Sequence, residues 1–149
     1  MSAANYGDSL EFFRDKAITA TETGAWIGTY KCGALRRAKE IVLFLDVTAA
    51  AAGVGDTLDV KIQEGLMGAS SIIPHDRAHF TQVLGNGGAK QFIAKITTDA
   101  AVSGTGAPSV ALGVNTVVDG PISDLLRFVI TVAGGTAAFT ATLTAYVKG

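Results

Sequence analysis

One sequence pattern in this chain occurs twice. "LDVTAAAAGVGDTLDVKIQ", Leu45 to Gln63, and "VITVAGGTAAFTATLTAYV", Val129 to Val147, share an order of parts. Each has an apolar run that closes on Val-Thr or Thr-Val, a connection of small residues, and a run that alternates strictly. In the first copy Leu58, Val60 and Ile62 point one way, and Thr57, Asp59, Lys61 and Gln63 the other. In the second, Phe139, Ala141, Leu143, Ala145 and Val147 alternate with Thr140, Thr142, Thr144 and Tyr146. A period of two is that of a strand with one face on a core and one in water. Tandem repeat arrays need about three or more units. Two copies separated by other strands therefore read as strand pairs of one all-β fold, an antiparallel two-sheet β-sandwich of jelly-roll or related Greek-key topology.

The rest of the chain fits that class. Its 18 glycines and many threonines suit short strands and tight turns, and no long helical period occurs. Residues 17–31 read as strand, turn and strand around Glu22 to Gly24. Ile41 to Leu45 is apolar on both faces, as in a central strand covered twice. A short strand is expected at Ser71 to Ile73, ended by Pro74 unless it lies at an edge. "FTQVL", "GNGG" and "AKQFIAKIT" read as a hairpin whose Gly and Asn residues supply positive φ. The expected organisation is an N-terminal arm at residues 1–16, with a short helical turn around Ser9 to Phe13, and one sandwich domain at 17–149. Residues 98–120 are expected to form a long surface excursion with a short strand between Val110 and Val118.

Composition narrows function. The net charge is −1 with no basic block, which argues against nucleic acid and anionic membranes as partners. The longest apolar run is too short to cross a bilayer, and the first residues lack the apolar core of a signal peptide. A soluble protein made in the cytoplasm is expected.

No catalytic, metal or cofactor site emerges. "HDRAH", His75 to His79, mimics a zinc-hydrolase pattern, but it follows a proline and offers Asp in place of Glu. The chain has no third histidine, and on an extended strand the two share a face about 13 Å apart, too far to share one ion. "GVGD" and "GNGGAK" lie between strands, not before a helix, so they are turns and not phosphate loops. Cys32 stands alone and reads as a structural thiol. Trp26, Tyr30 and Tyr146 read as core and rim residues, with a sugar-stacking platform as the alternative.

The surface carries the remaining information. Only 17% of residues are charged, against about 25% in an ordinary soluble chain. A row of Thr on an exposed strand edge, without Lys or Glu, invites pairing. Copies of the chain or a larger assembly are the expected cover.

The segments "EIVLFLDVTAAAAGVGDTLDVKIQEG", "AHFTQVLGNGGAKQF" and "LLRFVITVAGGTAAFTATLTAYVKG" resemble a group of small bacteriophage virion proteins. The resemblance spans about residues 38–97 and 124–149; where such sequences often carry a Trp after Gln-Glu-Gly, this chain reads "LMGASSII". It implies a β-sandwich structural protein, most readily a capsid decoration or cement protein on the capsid exterior. Its partners would be the major capsid protein and copies of itself, as a trimer in preference to a dimer. A receptor- or glycan-binding module of a tail or fibre is the alternative. The expected contact residues are Phe12, Phe13 and Arg14 in the arm, and Pro108, Val110, Val114 and Val118 in the excursion. On this expectation the arm is dispensable for folding.

Overall fold

A computed structural model describes residues 8–27, 35–99 and 109–149. They form two antiparallel sheets. The four-stranded sheet runs β1 (Asp8–Ile18), β10 (Phe139–Lys148), β3 (Glu40–Ala49), β7 (Lys90–Thr97). The other runs β2 (Glu22–Thr23), β9 (Leu126–Ala133), β4 (Thr57–Met67), β5 (Ile72–His79), β8 (Thr116–Val117), with β6 (Val83–Leu84) also paired to β4. This is the all-β, two-sheet antiparallel class expected from the alternating runs.

The core lies where the alternation puts it. Leu58, Val60 and Ile62 of β4 face Ala141, Leu143, Ala145 and Val147 of β10 across the sandwich, and all are buried. Phe13 of one sheet meets Phe128 of the other edge to face, ring centroids 5.1 Å apart, tying the two layers together.

The doubled pattern has a specific meaning. β3 belongs to one sheet and β4 to the other; β9 and β10 make the same crossing in reverse. β3 pairs with β10 and β4 with β9, so the two small-residue connections lie side by side at one end of the sandwich. Asp56 joins them. Its buried carboxylate accepts the Thr136 hydroxyl at 2.7 Å and the Thr136 N–H at 3.2 Å. The Asp56 carbonyl accepts the Gly85 N–H at 2.7 Å, which adds a third loop. Gly134, at φ 104, lets the backbone pass where a Cβ would strike this carboxylate.

Several expectations are corrected. Residues 8–16 are not an arm and hold no helical turn: β1 pairs along β10 from Asp8 opposite Val147 to Ile18 opposite Phe139, burying Leu10, Phe13 and Ile18. Register shifts between Glu11 and Phe13 and between Phe13 and Lys16 break the period of two, which is why the strand does not show in the sequence. Residues 1–7 lie outside the described residues. Of the strand-turn-strand expected at 17–31, the described part holds the end of β1 at Ile18, β2 and a bridge from Ile27 to Leu126, and residues 28–31 lie outside the described residues. β3 is central as expected, but only one face is fully covered; Val42 and Phe44 are half-buried. The expected hairpin does not form, because β6 pairs with β4 in one sheet and β7 with β3 in the other. Its turn docks on the neighbouring connection instead, Asn86 N–H donating to the Ala51 carbonyl. β5 runs through Pro74, which sits opposite Gly65 where β4 alone pairs with the strand. The Thr row of β10 is not at an edge, since β1 and β3 flank it.

Removal of residues 2–16 is accordingly expected to unfold or aggregate the protein. A circular dichroism melt of the truncated chain that matches the full chain would contradict this.

Candidate functional site

The structure concentrates its irregular backbone and polar side chains on β5 and the excursion that follows β7. β4 and β5 pair in one register from Lys61 opposite His79 to Ile62 opposite Ala78, and in another from Gln63 opposite Asp76 onward. Arg77 is the extra residue of this bulge. It is buried, and so is Glu64.

Arg77 clamps the end of the sandwich. Its Nη1 donates to Glu64 Oε1 at 2.9 Å and to the Pro121 carbonyl at 2.9 Å. Nη2 donates to the Gly120 carbonyl at 2.8 Å, and Nε to the Val118 carbonyl at 3.1 Å. Glu64 Oε2 accepts the Ser123 N–H at 2.9 Å. One ion pair thus holds residues 118–123, and Ile122 packs into the core beside it.

On the outer face of the same sheet a second set holds residues 109–118. Asp76 Oδ1 accepts the Gln63 amide at 2.8 Å; Oδ2 accepts Lys61 Nζ and the Leu112 N–H, each at 3.0 Å. The Leu112 carbonyl lies 2.9 Å from His79 Nδ1, and His79 Nε2 lies 3.3 Å from Asp59 Oδ1. From the opposite face of β5, His75 Nδ1 meets Ser109 Oγ at 2.6 Å. The row extends through Gln63 Oε1, which accepts Arg127 Nε at 2.9 Å, to Trp26, whose ring lies 4.4 Å below the Arg127 guanidinium. Burial disfavours charge on Asp76, but the Gln63 amide, the Leu112 N–H and Lys61 outweigh it and hold the carboxyl below its ordinary range.

The excursion is therefore gripped at the Leu112 backbone and the Ser109 hydroxyl, which leaves its valines exposed. Val110 is 72% exposed, Val114 48%, and Val117 and Val118 38% each. Of the expected contact residues, Val110, Val114 and Val118 are exposed on this excursion, and Val110 and Val118 line one cleft. Pro108 lies outside the described residues. Phe12, Phe13 and Arg14 do not lie in an arm but in β1, at an edge of the opposite sheet. Phe13 is buried against Phe128, Phe12 packs against the core, and exposed Arg14 pairs with Glu11 at 2.6 Å.

The bulge also separates the histidines of "HDRAH". His79 opposes outward-facing Lys61 and His75 opposes buried Glu64, so they no longer share a face. Among the described residues no three His, Cys, Asp or Glu side chains gather as a metal site. Trp26 and Tyr146 sit on different sheets, while Tyr30 and Cys32 lie outside the described residues. Sequence reading missed Arg77, Glu64 and Asp76 because the bulge hides which face each takes. The one available signal was the Asp-Arg pair inside a strand.

Comparison with family models, curated proteins and solved structures finds no match to this chain.

Two outcomes follow from the grip. Arg77→Met leaves the Glu64 carboxylate buried without its cation and should lower stability by about 3–5 kcal/mol in urea unfolding. Arg77→Met with Glu64→Leu should recover only part of that loss, because the Val118, Gly120 and Pro121 carbonyls and the Ser123 N–H still lack their partners. Because the folded Asp76 carboxyl sits below its unfolded value of about 3.9, its contribution is complete above that value and lost as pH falls through the lower folded one. Hydrogen-exchange protection of the Leu112 amide should therefore hold from about pH 7 to pH 5 and collapse only in stronger acid.

Proposed function

We propose that this chain is a non-enzymatic structural protein of a bacteriophage virion, binding the outside of the capsid and stabilising the mature lattice. The observation that carries the reading is the excursion at 109–118, fixed by buried and half-buried polar groups and presenting exposed Val110, Val114 and Val118. A segment anchored through its backbone presents a preorganised apolar surface, which lowers the ordering cost of binding a protein partner. The partner is the major capsid protein, with an apolar patch formed where neighbouring capsomers meet.

The winding supports the same reading. Strand orders β1-β10-β3-β7 and β2-β9-β4-β5-β8, with the chain passing repeatedly between sheets, support a jelly-roll winding. The sequence resemblance to small phage virion proteins adds the capsid exterior as the place. Binding confined to the mature lattice stabilises that lattice by mass action, and many weak contacts act together through avidity.

Quantitative mass spectrometry of purified particles should find copies comparable in number to the major capsid protein. Replacing Val110, Val114 and Val118 together by Asp should abolish co-sedimentation with capsids while leaving the far-UV spectrum unchanged. A handful of copies per particle, or binding that survives the triple change, would overturn the reading.

A further inference from the structure

An antiparallel ladder uses the N–H and C=O of alternate residues. In β7, Thr98 N–H donates to the Lys39 carbonyl, which puts the even-numbered residues on the β3 side. Thr97 faces away: its N–H donates to Asp119 Oδ1 at 2.8 Å, and its carbonyl accepts the Gly120 N–H at 2.9 Å. Gln91, Ile93 and Lys95, in phase with Thr97, direct their backbone groups away from β3. No strand among the described residues pairs with them.

The other edges are protected. β1 has two register shifts, Asp15 at φ 45, and Glu11, Arg14 and Lys16 along its length. β5 carries Pro74 and is partly paired with β8, and β9 is partly paired with β2 and bridged by Ile27. β7 has no proline and no register shift, and Ile93 at its middle is 72% exposed. Its charged residues, Lys90 and Lys95, flank an apolar centre of Phe92, Ile93 and Ala94, so the middle of the strand is open to pairing with another chain.

The sequence of this edge is complementary to itself. We infer that β7 is the contact between two copies of the chain, paired antiparallel about a twofold axis at Ile93. In that register Ile93 meets the second copy's Ile93 and Gln91 meets the second copy's Lys95. Every outward-facing residue meets an outward-facing residue, so the hydrogen bonds align. Lys95, already 3.3 Å from Glu40 of its own chain, opposes an amide and not another ammonium. On the core side, half-buried Phe92 meets the second copy's small Ala94. On the outer side the row Phe44–Ile93 continues across the axis into its own image. The added strand covers the mouth of the cleft of about 350 Å³ between β7 and β8, where Phe80, Phe92, Ala94 and Val117 lie. The two four-stranded sheets become one sheet of eight, closing as a dimer and not as a trimer.

This contact does not depend on what the valine surface binds, and it is tested on the isolated full chain. Sedimentation equilibrium should show a two-chain species for the native protein and a single-chain species for Ile93→Lys, with an unchanged far-UV spectrum; Ile93→Val should remain a dimer. In a Cys32→Ser background, Ile93→Cys should give a covalent dimer with a short bis-maleimide, a readout that stands even if Ile93→Lys fails to fold. A native single chain at all concentrations, a trimer, or the absence of the cross-link would overturn the inference.

Discussion

A guanidinium taken out of water needs acceptors in every direction its donors point, and in this fold the backbone supplies most of them. Arg77 turns the carbonyls of Val118, Gly120 and Pro121 toward one side chain while Glu64 balances its charge. Residues 118–123 contain no strand, so these bonds, with those of Asp119 Oδ1 and the Gly120 N–H to Thr97, fix their path. That path brings the chain from the excursion into β9, the neighbour of β4. The bulge, the ion pair and the loop form one arrangement, in which removing any part leaves a buried polar group without its partner.

Asp56 does comparable work at the other end of β4. Where two connections cross between sheets, the ladder stops and buried backbone groups lose their regular partners. A carboxylate that accepts from the Thr136 backbone and side chain, beside glycines that admit close approach, replaces the missing ladder. Both ends of the sandwich are thus closed by charged side chains, and the layers between them are apolar. Exposed apolar residues lie at the excursion and at Ile93 of β7, and also at the two ends, Val54 and Leu84 near Asp56 and Leu66, Met67 and Ile73 at the β4–β5 turn.

The alternating runs of β4 and β10 were legible because neither is bulged on its inward face over the core, and every inward residue there is apolar. β1 was not legible: two irregularities put Phe12 and Phe13 next to each other in a way that resembles no period, and the stretch read as an arm. Turn chemistry placed Asn86 and Gly88 at positive φ correctly but carried no information on which sheet the next strand would join. That choice is made by long-range docking of the turn on Ala51. Of the surface, the valines at 110, 114 and 118 were readable from a stretch too poorly patterned to be buried. The ion pair beneath them was not, because thirteen residues and a bulge separate Glu64 from Arg77.

The pairing of β10 between β1 and β3 sets the order in which the chain can become a protein. On a ribosome, β1, β3 and β7 are all made before β10, yet β10 is the strand that joins β1 to β3. Leu43 and Leu45 in β3 therefore emerge with one flank uncovered, and β1 emerges with no neighbour at all. Contacts between such distant segments form slowly, because a long loop must close before any bond rewards it. During translation the four-stranded sheet remains a half-built surface of unpaired edges, and the final strand completes it on both sides at once.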